Sequence, residues 1–257
     1  MAKKSLVVAV VLFALIALPR YTRADDLNTI KHAGQMKIAM SGAYPPFNFI
    51  NENNQVVGFD AAIGREIAKR MGVKPVIVTT AWDGILAGLL AKKYDAICGS
   101  MTITPKRLEV VDFVGPYYRS GRGIFIRNDE SLTRLQDLKG KTVGVTLGET
   151  HERWARKQPG WKVQTYKGLP ELLLELQNHR LAAIVIDAIP GLLAMKKGAP
   201  IKRMEVSNID DGNVDIGIAV RKGNPKLKKA MQNALDGMMA DGTYKKIAMK
   251  WIGYDIR

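Results

Sequence analysis

Residues 92–97 read KKYDAI, and residues 179–184 read HRLAAI. Each stretch follows a helical pattern, enters an apolar strand and runs on to polar residues, which are GSMT at 99–102 in the first case and Asp187 in the second. Helices that alternate with short apolar strands are typical of an α/β architecture, and open α/β sheets bind ligands at the carboxyl ends of their strands. The echo therefore predicts two comparable α/β lobes whose polar strand ends face one cleft.

The same alternation runs through the rest of the chain. Strands are predicted at 36–40, 76–78, 95–98, 142–146 and 182–186. Helices are predicted at 60–72, 83–93, from the Gly148 turn through Trp154, from Pro170, from Asn224 to the break at Asp241-Gly242, and at 243–251. Asp60 is the predicted N-cap of the first of these helices, because Ile63, Ile67 and Met71 then follow at helical spacing.

The first 24 residues have the layout of a cleavable secretory signal. A basic start at Lys3 and Lys4 leads into an uncharged apolar run from Ser5 to Leu18, and Thr22 and Ala24 form a small-x-small cleavage pattern. The apolar run is shorter than the about 20 residues that a spanning helix needs. We therefore predict cleavage after Ala24 and a periplasmic mature protein.

The net charge, the single cysteine and the three histidines argue against several classes of function. The formal net charge of +15 falls to +11 when the signal is removed, and the remaining Lys and Arg residues are scattered rather than clustered, which argues against a nucleic-acid partner. The only cysteine, Cys98, lies in an apolar run and cannot form an internal disulfide. The three histidines have no metal-ligand spacing, so neither a metal site nor a cofactor is predicted.

A series of motifs resembles the polar-amino-acid-binding proteins of ABC importers, solute-binding protein family 3, over almost all of the mature sequence. Each motif is weakly specific by itself, but together and in this order they are highly specific. They are Tyr44-Pro-Pro-Phe47, Gly58-Phe-Asp60, Trp82-Asp-Gly-Ile85, Asp95-Ala-Ile97, Met101-Thr-Ile-Thr-Pro-Lys-Arg107, Val111-Asp-Phe113, Pro116-Tyr-Tyr118, Asp137-Leu-Lys-Gly140, Val143-Gly-Val145, Asp187, Asp241-Gly-Thr-Tyr244 and Lys250-Trp251.

This resemblance implies the two-lobed periplasmic binding protein fold of type II, with two hinge strands and the ligand in the interlobe cleft. It also implies a small-molecule amino-acid ligand, an inner-membrane ABC permease as partner, and a protein that we expect to be a monomer. The implied domain limits are a first lobe at 25–116, a hinge at 117–121, a second lobe at 122–211, a hinge at 212–216 and a return to the first lobe at 217–257.

The resemblance implies that Arg107 holds the ligand carboxylate. A guanidinium can bind a carboxylate through two parallel charge-assisted hydrogen bonds. Thr102 matches a position that adds hydroxyl and backbone contacts, and Ser100 matches one that accepts from the ligand amine. Without the motif, Arg107 beside Lys106 would read as a surface residue.

The other implied contacts surround the rest of the ligand. Asp187 is either a helix N-cap or the partner of the ligand ammonium, and the resemblance favours the ammonium. Tyr44 and Trp82 match aromatic positions that sandwich the ligand side chain, although Trp82 at a helix start could also be ordinary core packing. Thr150, after the Gly148 turn, would present a backbone N–H to the ligand carboxylate.

Two departures from the family pattern leave the ligand side chain undecided. Ser41 stands where relatives selective for basic side chains often carry Asp. Glu149 stands where a small hydroxyl residue is usual, and it could restore a negative charge from the other lobe. It could equally be a solvent-facing glutamate favoured at a helix start by the macrodipole.

The alternatives to a binding protein have less support. Cyclohexadienyl dehydratases resemble these proteins in fold and share an Asp-Ala-Ile stretch followed by a catalytic glutamate. This chain has Pro190 after Asp187-Ala188-Ile189, and neither Glu149 nor Glu171 has a second feature that would make it the acid. We therefore expect a binding protein and not an enzyme. A receptor's sensory domain would need a further membrane span and a signalling domain.

Overall fold

The structure is a computed structural model that describes residues 25–206, 209 and 214–257. The predicted signal and residues 212–213 of the second predicted hinge lie outside the described residues. The helices are α1 (Asp26–Ala33), α2 (Phe59–Arg70), α3 (Trp82–Leu90), α4 (Pro105–Leu108), α5 (Thr150–Ala155), α6 (Leu169–Gln177), α7 (Ala188–Lys196), α8 (Pro225–Ala240) and α9 (Thr243–Trp251), with a 3₁₀ turn at Leu135–Leu138.

The strands form two five-stranded sheets and a small three-stranded one. They are β1 (Gln35–Met40), β2 (Ala43–Tyr44), β3 (Asn48–Ile50), β4 (Val56–Val57), β5 (Lys74–Thr79), β6 (Ala96–Thr102), β7 (Val111–Ser120), β8 (Arg122–Arg127), β9 (Thr142–Thr146), β10 (Lys162–Tyr166), β11 (Ala183–Asp187), β12 (Ile201–Arg203) and β13 (Val214–Arg221). The described part of the chain has no helix long and apolar enough to cross a membrane.

The first sheet has the order β5-β1-β6-β13-β7 and forms the core of the first lobe. β5, β1 and β6 are parallel, and β13 and β7 add two antiparallel strands. Strands buried on both faces read as continuous apolar runs, and β6 is buried along Ala96–Met101, including Cys98 at 1% exposure. The buried position predicted for Cys98 is therefore confirmed.

The second sheet repeats this plan with the order β10-β9-β11-β8-β12. Its parallel strands β10, β9 and β11 are followed by the antiparallel strands β8 and β12. Leu172 and Leu176 of α6 are fully buried. The two similar sheets confirm the α/β architecture predicted from the echo of residues 92–97 in residues 179–184.

Two strands of the first sheet run side by side towards the second lobe. Val214 pairs with Ser120 and Ile216 with Tyr118, so the ends of β7 and β13 are hydrogen-bonded neighbours. Beyond β13 the chain packs on the first lobe, where the Tyr244 hydroxyl of α9 donates to the carbonyl of Tyr117 at 2.6 Å. The exact domain limits remain a prediction.

The predicted N-cap role of Asp60 is wrong. Gly58 is the N-cap, and α2 begins at Phe59. A Cβ on Gly58, whose φ is +120°, would lie 2.4 Å from the carbonyl oxygen of Phe47, so the chain passes this point only as glycine. Asp60 consequently falls inside the first turn, fully buried.

Candidate functional site

The two lobes face each other where their parallel strands end. A small chamber at this seam is lined by Ser41, Tyr44, Trp82, Ser100 and Glu149 of the predicted site residues, together with Ala43, Gly99, Thr146, Lys167 and Gly168. Ser41 follows β1, Ser100 lies near the end of β6, and Thr146 ends β9. The chamber therefore lies at the strand ends where the sequence analysis predicted the site.

The lobes are in close contact around this chamber. A Cβ placed on Gly168 would lie 2.4 Å from the carbonyl oxygen of Ala43, and one on Gly148 would lie 2.9 Å from the Cα of Asp83. The chamber volume is about 10 Å³, which is about the space that one water molecule needs. A ligand can enter only if the lobes separate.

Arg107 is positioned by a short helix. Thr104 caps α4, accepting from the Arg107 N–H at 3.2 Å, and Nη1 of Arg107 donates to the carbonyl of Thr102 at 2.8 Å. Arg107 is 8% exposed and lines a cavity of about 260 Å³ at the seam, and its guanidinium lies 5.9 Å from the ring centre of Trp82.

Arg107 remains positively charged although it is buried. Burial and the nearby Arg153 lower the pKa of Arg107 to about 10, and Glu149 and Asp187 act in the opposite direction. The side chain is thus cationic at neutral pH. Among the described residues, none accepts from its Nε or Nη2, so these donors can serve an incoming anion.

Asp187 lies at the N-cap position of α7, but its side chain does not cap the helix. One carboxylate oxygen accepts from the Tyr44 hydroxyl across the seam, and the other lies 3.2 Å from Nε2 of His151. Nδ1 of His151 accepts from Nε of Arg122 at 3.2 Å. His151 therefore carries its proton on Nε2 and donates it to Asp187.

His151 and Arg122 were not predicted as site residues. They are 5% exposed each, and Asp187 is 6% exposed. Arg122 also lies 4.4 Å from the ring centre of Trp154. The result is a buried chain of groups from Arg122 through His151 to the carboxylate that faces Tyr44.

Asp60 orients polar side chains of the first lobe through hydrogen bonds to its carboxylate. Its carboxylate accepts from Tyr117 at 2.6 Å, from Nδ2 of Asn48 at 2.7 Å and from the Ser100 hydroxyl at 2.8 Å. Burial raises the pKa of Asp60 to about 6, and the hydrogen bonds from Tyr117, Asn48 and Ser100 limit the rise. At neutral pH the carboxylate is ionised, so Ser100 donates to it and keeps its lone pairs for the chamber.

Ser41 is oriented through the same network. Its hydroxyl donates to Oδ1 of Asn48 at 2.9 Å, and Asn48 in turn donates to Asp60. Ser41 consequently also offers lone pairs rather than a hydrogen, although one of them receives the N–H of Ala43 at 3.2 Å. The first lobe thus presents hydrogen-bond acceptors to the chamber.

Glu149 lies at the N-cap position of α5, and its side chain makes no capping hydrogen bond. The side chain is only partly exposed. Burial and the charge of Asp187 raise the pKa of Glu149 to about 7, whereas His151 and Arg107 oppose the rise. Next to it, the hydroxyl of Thr146 is buried with no hydrogen-bond partner among the described residues.

The remaining predicted residues lie around this core. Thr102 touches Arg107 through its carbonyl rather than its hydroxyl. Thr150 is the first residue of α5. Trp82 packs with Ile85 and Leu89 and also lines the chamber, and its contact with a ligand side chain stays a prediction.

Comparison with known proteins gives one consistent family. The family model of the bacterial extracellular solute-binding proteins, family 3, matches residues 36–254. The L-cystine-binding protein TcyJ of Escherichia coli (strain K12) is 34% identical over 97% of this chain and 94% of that protein. The L-arginine-binding protein of Pseudomonas aeruginosa is 34% identical over 86% of this chain and 89% of its own length.

Solved structures share the fold. An ancestral arginine-binding protein bound to arginine has a TM-score of 0.78 and 37% identity, covering 86% of this chain and 99% of its own. An ancestral amino acid-binding protein described as a precursor of cyclohexadienyl dehydratase has a TM-score of 0.81 and 34% identity, covering 88% and 99%. The two-lobed arrangement of the present chain matches theirs.

Proposed function

The chain belongs to the bacterial extracellular solute-binding proteins of family 3, and from this premise we propose that it captures an amino acid between its lobes and delivers it to an ABC importer. The curated relatives named above are binding proteins for cystine and arginine. Solved relatives include binding proteins with arginine or glutamine bound. The chain is accordingly a transport protein and not a dehydratase.

The observation that carries this function is a pair of opposite charges on opposite lobes. Arg107 extends from α4 of the first lobe with free donors, and Asp187 ends β11 of the second lobe without capping α7. A free amino acid brings a carboxylate and an ammonium out of water together, and burying either ion alone is costly. We assign the ligand carboxylate to Arg107 and the ammonium to Asp187.

The other site residues take supporting roles in this proposal. Ser100, whose hydroxyl is committed to Asp60, accepts from the ammonium. Tyr44 leaves Asp187 when the ammonium arrives and packs with Trp82 against the ligand side chain. The backbone N–H of Thr150 donates to the ligand carboxylate. The carbonyl of Thr102 acts indirectly, because it accepts from Arg107 and so holds the guanidinium in place.

The cellular setting follows from the same family. We propose that the mature protein begins at Asp25, works in the periplasm as a monomer, and binds an inner-membrane permease but no nucleic acid. The scattered distribution of Lys and Arg residues supports the last point. The intact mass of the protein exported from a bacterial host, together with light scattering in solution, tests the cleavage site and the monomer.

Calorimetric titration of Asp187→Asn tests the function. The amide keeps the shape but removes the charge, and truncating one partner of a buried charge pair costs about 2–5 kcal/mol. We expect the affinity for the amino acid that binds the parent to fall at least about 30-fold. Asp236→Asn, an exposed carboxylate on α8, is the control. Unchanged affinity in Asp187→Asn would remove this residue from the site.

A further inference from the structure

Glu149 gives the chamber a carboxylate that a simple zwitterion would not use. In the proposed function the ligand ammonium pairs with Asp187 and the ligand carboxylate with Arg107. Glu149 then lines the chamber without a salt bridge to any of the described residues. Resting on that function, we propose that Glu149, with Thr146 and Ser41, forms the subsite for a positively charged side chain, so that the ligand is a basic amino acid.

The geometry of Glu149 separates it from an ordinary helix-start glutamate. Its carboxylate does not turn back onto the N–H groups of α5. Glu152 stabilises this turn instead, because its carboxylate accepts from the N–H of Gly148 at 2.7 Å and pairs with Arg156 at 2.8 Å. Within the described residues, no donor is hydrogen-bonded to the Glu149 side chain. The carboxylate is therefore available to a ligand.

Its neighbours in the chamber suit a group rich in N–H donors. The hydroxyl of Ser41 donates its hydrogen to Asn48, so its oxygen can act as an acceptor for a ligand. The Thr146 hydroxyl, on a residue only 3% exposed, has no partner among the described residues, and a buried polar group without a partner destabilises the folded protein. A guanidinium or ammonium group can donate to all three side chains, whereas an apolar side chain would leave the Glu149 carboxylate and the Thr146 hydroxyl unpaired.

A larger cavity borders the chamber. A cavity of about 520 Å³ at the seam shares Ser41, Ala43 and Trp82 with the chamber. Tyr44 and Trp82 both line the chamber, and an aromatic face attracts a cation. Lys167 also lines the chamber, but it is exposed and forms no ion pair with Glu149.

The subsite makes binding depend on pH with a defined sign. His151, Asp187, Arg107 and Tyr44 interact electrostatically with Glu149, and its pKa is about 7 without a ligand. A bound cation favours the ionised carboxylate, so the affinity for a basic amino acid should rise as the pH rises from 6 to 8. The affinity for a neutral amino acid should not gain in this way.

The test is calorimetric titration of the mature protein with L-arginine, L-lysine, L-glutamine, L-cystine and L-leucine at pH 6, 7 and 8. We expect the parent to bind a basic amino acid at least about tenfold more tightly than the neutral ones. Glu149→Gln should lose at least tenfold for the basic ligand, lose less than threefold for glutamine, and abolish the rise with pH. Thr146→Val should weaken basic binding several-fold. Glu205 is an exposed glutamate in the same half of the chain. As the control, Glu205→Gln should leave the affinities and their dependence on pH unchanged.

The outcomes separate this subsite from the function on which it rests. If a neutral amino acid binds as tightly as arginine, or if Glu149→Gln weakens arginine and glutamine equally, the cationic subsite is wrong although the amino-acid-binding function stands. If none of the amino acids binds the parent, the proposed function itself fails.

Discussion

At the scale of single residues, Arg107 shows how a motif and a structure complement each other. The motif selects it, and the structure adds that two of its donor nitrogens have no acceptor among the described residues. We expect Arg107→Ala to abolish amino-acid binding, a loss of at least about 30-fold, because the ligand carboxylate would be buried without a partner. Circular dichroism should show an intact fold.

Calorimetric titration measures this loss against a matched neighbour. Lys106 precedes Arg107 on α4 but is exposed, so Lys106→Ala should bind like the parent. An Arg107→Ala affinity within a few-fold of the parent would exclude the residue from the ligand site.

His151 is a positioning residue in this account, since it holds Asp187 through a proton fixed by Arg122. His151→Leu should weaken amino-acid binding at least about tenfold, because it removes the donor that orients the carboxylate. His151→Gln should recover part of the affinity, since its amide can still donate to Asp187. His32→Leu, on the exposed end of α1, is the control. Equal affinities for the Leu and Gln variants would speak against positioning by hydrogen bonding.

The sequence could reveal only some of these residues. Ser100, Trp82 and Arg107 belong to compact motifs, so their pattern is visible in one stretch. The contacts of His151 join it to residues 29 and 36 positions away. Such contacts depend on how β8, α5 and β11 pack, which no local pattern encodes.

At the scale of elements, the alternation of strands and helices was predictable, and their ends were less so. The strand at 142–146 and the helix at 243–251 match the structure at both ends. Asp60 was misplaced because an acid before a helical pattern resembles an N-cap. What decides the helix start is the close approach of Gly58 to Phe47, a tertiary contact.

The buried carboxylate between α2 and β6 gives the fold a predictable pH dependence. The pKa of Asp60 is raised from 3.8 to about 6 in the folded protein, so the folded state holds this proton more tightly than the unfolded state. The contribution of Asp60 to the free energy of unfolding should fall by about 2 kcal/mol as the pH rises from 4 to 6, and it should level off above pH 7.

Urea unfolding of the parent and Asp60→Asn at pH 4, 5, 6 and 7 measures this contribution. The free energy of unfolding of the parent should fall relative to that of Asp60→Asn as the pH rises. Asp236→Asn should follow the parent throughout. A difference that moves in the parent's favour with rising pH would mean that the hydrogen bonds from Asn48, Ser100 and Tyr117 outweigh burial.

At the scale of the whole molecule, function depends on two lobes that close on the ligand. The contacts of Arg107 and Asp187 lie on opposite lobes, so a ligand that uses both favours the closed form over the open form. Hinge motion of this kind is a common response to ligands. The paired ends of β7 and β13 are where we expect the rotation.

Gly168 offers a direct way to disturb closure. Its φ of −177° is accessible to any residue, but a Cβ there would lie 2.4 Å from the carbonyl oxygen of Ala43 on the other lobe. Gly168→Ala should therefore weaken ligand binding at least about tenfold by holding the lobes apart, with little loss of stability in the free protein.

Small-angle scattering at saturating ligand tests this prediction. The radius of gyration of Gly168→Ala should stay above that of the liganded parent. Gly84→Ala places a methyl group on α3 where no atom lies within 4 Å, so it should close normally. A liganded Gly168→Ala protein as compact as the parent would contradict the steric argument.

Thermal unfolding of the mature protein in the presence of each common amino acid tests whether it binds one of them. A ligand at 100 times its Kd adds about 2.7 kcal/mol to the free energy of unfolding, which shifts the Tm of a protein of this size by several degrees. We predict a clear rise in Tm with a basic amino acid and a smaller rise or none with leucine. A Tm that no amino acid raises would contradict the account.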